Sequence, residues 1–176
     1  MNKKLLFYVR CALCCALTAV FAQITVPAPV PFTMQTFALF LTYGVFGGGV
    51  CAVSVALYIF CGLFGAPFFS GFSGGFAPFL GSGGGFIIGF FLAALFMLAL
   101  EKVARSSFFG LFAVMLSGLF ICYCAGVIWY LVFYGTGSGI ISALTVCILP
   151  FVIPDIIKLT LAFCLSKKLR KALRVI

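Results

Sequence analysis

Two carboxylates, Glu101 and Asp155, serve all 176 residues, and no charged side chain stands between Arg10 and Glu101. A soluble domain carries about 25% charged residues, whereas this chain has 7%, with 65% apolar residues. Too few polar groups remain to cover a folded surface in water. A lipid bilayer is the solvent that fits. In hydrocarbon every backbone N–H and C=O must pair within the protein, which leaves helices or a closed barrel. A barrel needs alternating polar and apolar positions, and runs such as 87–100 do not alternate. The expected fold class is all-α and integral to the membrane, in a single domain over 1–176.

The net charge of +9 is explained by placement. Lys3, Lys4 and Arg10 lie at the N-terminus, Lys102 and Arg105 in one short polar break, and Lys167, Lys168, Arg170, Lys171 and Arg174 in the C-terminal tail. Each group ends an apolar run. That is the positive-inside pattern, with all three groups cytoplasmic, and it argues against a nucleic-acid-binding face. Apolar length places spans at 5–23, 33–46, 50–64, 84–100, 108–134 and 154–170. The segment 24–33 carries Pro27, Pro29 and Pro31 and cannot continue a helix. Spans two and three are short and need irregular backbone or a thinned bilayer beside them. The apolar piece 140–151 reads as a re-entrant or half-helix segment, and 101–107 as a polar break. Six spans put both termini on the cytoplasmic side, and the loops at 24–32, 65–81 and 135–138 then lie outside without a single cation. A seventh span would expel the basic tail. The start of the chain, with Ala19-Val-Phe-Ala22-Gln23, is similar to a secretory signal. Arg10 interrupts its apolar run and parity opposes cleavage, so it is read as the first span. The nine cysteines, nearly all within apolar runs, read as small apolar filler.

One cation stands outside the basic groups. Lys158 falls in the last span, one turn from Asp155, so the two form an i,i+3 pair on one helix face. A charge at mid-membrane costs on the order of 2.5–3.5 kcal/mol, and such residues mark functional sites by default. The plainer alternative is an ion pair that locks helices together. Pro154 places a helix start just before Asp155, near the positive helix end. The stretch 65–85 is rich in glycine, whose backbone can approach a ligand closely. Phe72, Phe76, Phe79 and Phe86 are candidates to wall an apolar cavity there; a flexible outer loop is the alternative. Ala12, Ala16 and Ala19 give one small-residue face to the first span, suited to close helix approach. Catalysis finds no support: the chain has no histidine, no carboxylate pair in one span and no GxSxG, and no GxxxxGK[ST] for nucleotide phosphates. No metal or cofactor motif is present.

Three segments in order carry a resemblance. Pro29-Val-Pro-Phe-Thr-Met-Gln35-Thr is similar to the pattern PVPxTxQT. The stretch beginning at Gly74 and ending Gly81-Ser-Gly-Gly-Gly-Phe86-Ile-Ile-Gly-Phe is similar to GGxxxLLGPTGGYLIGF. Pro150-Phe-Val-Ile-Pro-Asp155-Ile-Ile-Lys158 resembles PFxPGDxxK. All three patterns belong to the BioY family, the biotin-specific S components of energy-coupling-factor (ECF) transporters. The resemblance implies the ECF S-component fold in a bacterial cytoplasmic (inner) membrane, and biotin as ligand. It also implies a transmembrane (T) component and two ABC-type ATPases as partners. It implies that Asp155 and Lys158 hold the ureido ring. Gln35, Ser73, Gly74, Gly75, Ser82, Gly84, Gly85, Phe86 and Trp129 are then candidate ligand contacts, and Ala12 and Ala16 the docking face for the T component. Phe86 stands where the family has tyrosine, so that hydroxyl must be replaced by water or Ser82. No second outer cation exists for the biotin carboxylate, which leaves backbone N–H groups, Ser70, Ser73 or Gln35. The competing functions are an S component for thiamine, riboflavin or a lipoate-like acid, and a non-transport assembly factor or holin-like pore.

Overall fold

The computed structural model describes residues 2–28, 30–134 and 139–173. Asn2 caps α1 (Lys3–Gln23), its side chain accepting from the Lys4 N–H at 3.2 Å. Cys11, Cys14, Cys15, Thr18, Ala19 and Ala22 recur at helical spacing as the buried stripe, while Tyr8, Leu13 and Val20 face outward. An apolar outward face is what lipid requires of a spanning helix. Ala12 and Ala16 lie on that outer face, but Ala19 does not share it: it packs inward against the group containing Tyr58 and Phe69. The small-residue stripe expected on one face is therefore split between two.

The proline-bearing segment forms a two-stranded antiparallel ribbon, β1 (Thr25–Val26) with β2 (Phe32–Thr33). Then come α2 (Gln35–Phe46) and α3 (Gly48–Leu63), broken only at Gly47. Gly47 has φ +90°, and the Glu101 carboxylate occupies the space a Cβ would need. Twelve residues make α2 only about 18 Å long, short of the ~30 Å hydrocarbon core. It is buried on all sides and serves as the central post of the bundle. The glycine-rich stretch is partly ordered into a 3-10 turn at Ser70–Phe72 and a short α4 (Ala77–Leu80).

Next are α5 (Gly84–Ala99), α6 (Glu101–Ser106) and α7 (Phe108–Phe133), which Ser107 caps by accepting from the Gly110 N–H at 2.9 Å. The expected polar break is thus itself a turn of helix, held by a 2.6 Å Glu101–Arg105 pair at i,i+4. Last are α8 (Ile140–Cys147) and α9 (Leu149–Leu173). Here the sequence expectation fails. Pro154 does not start the helix; it lies inside α9, more than a turn after Leu149. The lost bond to the Pro150 carbonyl is tolerated because Phe151 anchors the first turn, buried in the core and stacked on Phe32 at 5.8 Å. Asp155 is consequently not at a helix N-terminus.

α5 packs along α7, α2 against α9, and α1 against α3. Three helical runs are long and apolar enough to cross a membrane: Lys3–Gln23, Phe108–Phe133 and Ile140–Leu173. The apolar helices α2, α3 and α5 are shorter. Members of the three basic groups meet at the α2–α3 joint. Arg170 Nε donates to the Gly44 carbonyl, Arg105 is bound at 2.6 Å to Glu101, which accepts from the Gly48 N–H at 3.3 Å, and the Arg10 guanidinium lies 5.3 Å over the Phe46 ring. The other end of α2, at Gln35 and Thr36, opens on a cavity.

Candidate functional site

Asp155 and Lys158 each expose 4% of their surface and form a 2.8 Å ion pair on α9. Buried charges need every remaining donor and acceptor satisfied, and the elements around α9 supply the partners. Lys158 Nζ donates to the Thr33 carbonyl at 2.6 Å and to Thr36 Oγ1 at 3.3 Å, and sits 3.7 Å over the Phe32 ring. The Thr36 hydroxyl in turn donates to Asp155 Oδ1 at 3.0 Å. From α7, Tyr123 donates its hydroxyl to Asp155 Oδ2 at 2.9 Å. One pair therefore ties together β2, α2, α7 and α9. All three Lys158 protons are committed, while the carboxylate, with about four acceptor positions, keeps a lone pair on Oδ2.

This cluster forms the buried end of a cavity of about 380 Å³, within the range of small-molecule sites. Aromatic rings of Phe32, Phe69, Phe86, Phe90 and Phe151 make its apolar wall. The half-exposed rim is the glycine-rich loop, with Ser70, Ser73, Gly74, Ser82 and Gly83. The structure thus brings Asp155, Lys158, Gln35, Ser73, Gly74, Ser82 and Phe86 to one cavity. Gln35 lies at the buried end, its amide donating to the Tyr58 hydroxyl and its carbonyl accepting from Thr33 Oγ1 at 2.7 Å.

Gly75, Gly84, Gly85 and Trp129 stand outside the cavity wall. Gly75 (φ +79°) turns the loop and donates its N–H to the Gly62 carbonyl at 2.7 Å. Gly84 and Gly85 let the first turn of α5 lie against α7: a Cβ on Gly85 would fall on Trp129 and within 2.7 Å of the Ala125 carbonyl. Trp129 itself clamps the rim from behind, its Nε1 donating to the Gly81 carbonyl at 3.2 Å. Of the phenylalanines expected in the wall, Phe86 is there, but Phe72 and Phe76 are 72% and 71% exposed and point away. Phe79 packs edge-on against Phe69, at 5.6 Å, behind the wall. A loop folded over a cavity shows only some of its residues to it, and composition cannot say which.

Sequence reasoning missed Thr33, Thr36, Tyr123 and Phe151. Thr33, Thr36 and Phe151 lie inside the quoted motifs, so a signal was present. Tyr123 had none, being one aromatic among many in a long apolar helix. Gln23 was also missed: its amide lies within 3.2–3.4 Å of the Pro67, Phe68 and Phe69 carbonyls, and its Oε1 accepts from the Phe72 N–H at 2.8 Å. It ties the end of α1 to the rim loop. Pro29, in the first motif, and 135–138 lie outside the described residues.

Fold and site together define a helical membrane protein with an aromatic cavity that ends on a buried acid–amine pair. A model of the BioY family matches residues 2–175, and the chain belongs to that family. It is 39% identical over 157 residues to the biotin transporter BioY of Thermotoga maritima, covering 89% of this chain and 90% of that one. It is 37% identical over 161 residues to the probable biotin transporter BioY of Pyrococcus horikoshii, covering 90% and 93%. It matches a 2.1 Å crystal structure of the S-component for biotin from an ECF-type ABC transporter with TM-score 0.82 and 26% identity, over 97% of this chain and 95% of that one.

Proposed function

We propose that this chain is the biotin-binding S component of an ECF transporter, and that biotin occupies the cavity with its ureido ring on Asp155 and Lys158. The observation that carries the proposal is that ion pair, 4% exposed and closing a mostly apolar cavity. A ureido group presents two N–H donors and one carbonyl acceptor. Asp155 Oδ2 has an acceptor position for an N–H, and the longest of the Lys158 contacts, 3.3 Å to Thr36, is the one a ureido carbonyl replaces most cheaply. The phenylalanine wall suits the thiophane ring and the aliphatic chain. Equilibrium binding of biotin, desthiobiotin and lipoate to the purified, detergent-solubilised chain tests this. Biotin and desthiobiotin should bind and lipoate, which has no ureido ring, should not; preference for lipoate, thiamine or riboflavin would reject it.

Six spans with both termini cytoplasmic is the proposed topology, with α2, α3 and α5 as short spans beside the ribbon, the rim loop and α6. The gathering of Arg10, Arg105 and Arg170 at the α2–α3 joint supports it, because one end of the bundle then holds cations from all three groups. The cavity at the other end of α2 then faces outward, where a captured vitamin arrives. A T component and two ABC-type ATPases would supply the energy, and Ala12 and Ala16, exposed on α1, are the proposed docking face. The family is one of transporters, and no step of chemistry on the ligand is assigned to this chain.

Tyr123 is assigned a positioning role. Its hydroxyl holds Asp155 Oδ2 from the α7 side without lining the cavity. Hydrogen bonds to charged groups are worth about 1.5–3 kcal/mol, so Tyr123→Phe is expected to weaken biotin binding by roughly tenfold. Titration calorimetry on the solubilised variant measures it, and wild-type affinity would remove Tyr123 from the site.

A further inference from the structure

The cations of this chain limit which part of a ligand it can read. From Cys11 to Leu100, and from Ser106 to Ile157, the sequence has no lysine or arginine. Among the described residues of the cavity wall, Lys158 is the one cation, and its three protons already go to Asp155, Thr33 and Thr36 at the buried end. A biotin lying with its ureido ring on that pair carries its carboxylate toward the half-exposed rim. The rim has hydroxyls in place of charges. The Ser73 hydroxyl donates to the Ser70 carbonyl at 2.7 Å, and the Ser70 and Thr25 hydroxyls share a 3.0 Å bond. The Phe86 N–H group is spent on the Gly83 carbonyl at 3.0 Å. Ser73 is left with oxygen lone pairs, which repel a carboxylate and accept from an amide N–H.

We infer that the site recognises the ureido end alone and accepts uncharged carboxyl derivatives of biotin, amides and esters, about as well as biotin itself. The inference rests on the proposed biotin function and extends its substrate class. A site that paired the carboxylate with a dedicated cation would lose roughly ten- to hundredfold on neutralisation, the worth of one charge-assisted hydrogen bond. Here the charge ends in or near water, and removing it changes little.

The test is displacement of radiolabelled biotin from the purified, detergent-solubilised chain by biotinamide and by biotin methyl ester, at low and at high salt. The expected result is competition within about tenfold of unlabelled biotin, with the same salt dependence for all three, since no screened ion contact distinguishes them. A loss above tenfold for both derivatives, or a biotin affinity that alone falls with salt, overturns the inference while leaving biotin binding intact. Absence of biotin binding itself, with lipoate bound instead, overturns the proposed function and this inference with it.

Discussion

Replacing Asp155 by Asn is expected to reduce biotin affinity at least ~100-fold, about 3 kcal/mol at 1.4 kcal/mol per decade. Asparagine keeps the shape, and its carbonyl oxygen can still accept from Thr36 and Lys158. What it loses is the second acceptor: its amide meets the Tyr123 hydroxyl and the incoming ureido N–H with donors of its own. The charge-assisted bond from Asp155 to the ureido N–H becomes a clash of donors, and the Lys158 bond to the ureido carbonyl is all that remains. The complication is stability. Removing one member of a buried ion pair costs ~3–5 kcal/mol, because the partner charge is stranded. The double variant Asp155→Asn, Lys158→Gln separates the two effects. It replaces the pair by neutral amides, so its thermal midpoint in detergent should recover toward wild type while biotin binding stays lost. If the double variant bound biotin as wild type does, the pair would be a strut between helices and would have no part in recognition.

Gly85→Ala is expected to destabilise the bundle by about 3 kcal/mol, the upper end for inserting a methyl into a packed interior. The added Cβ falls on Trp129 Cβ and within 2.7 Å of the Ala125 carbonyl. Neither is the far end of a flexible side chain, so no rotamer change makes room. The first turn of α5 must lift from α7, and the Trp129 bond to Gly81 that holds the rim goes with it. A lower melting temperature together with weaker biotin binding is the expected pair of results. Gly139→Ala is the control, since nothing lies within 4 Å of its Cβ position. Equal stability of Gly85→Ala and wild type would mean the α5–α7 contact is looser than its geometry.

How far the residues alone lead differs from one position to the next. Asp155 and Lys158 are legible at once, because a charge inside an apolar run has no inexpensive alternative to a partner or a ligand. Their partners are another matter. Thr36 is separated from Asp155 by 119 positions and Tyr123 by 32; the first motif at least includes Thr36, whereas nothing local marks Tyr123. Trp129 shows the converse error. The family resemblance makes it a candidate ligand contact, yet it faces the back of α5, since that is the side of α7 on which Gly84 and Gly85 leave room. Pro154 misled for a related reason: proline disfavours a helix interior by a few kcal/mol, and burial of Phe151 outweighs it.

What the sequence by itself determined is the solvent and the grammar of the chain. Near-absence of charge over long apolar runs dictates helices in a bilayer, prolines end the first of them, and basic groups mark which ends belong together. These follow from local composition, because transfer free energies act residue by residue. Only the tertiary structure decided which side of each helix and loop faces the cavity, that Ala19 turns inward from Ala12 and Ala16, and that Tyr123 stands behind Asp155. Those depend on how distant segments meet, and an almost uniformly apolar chain carries no polar–apolar periodicity from which that meeting can be read.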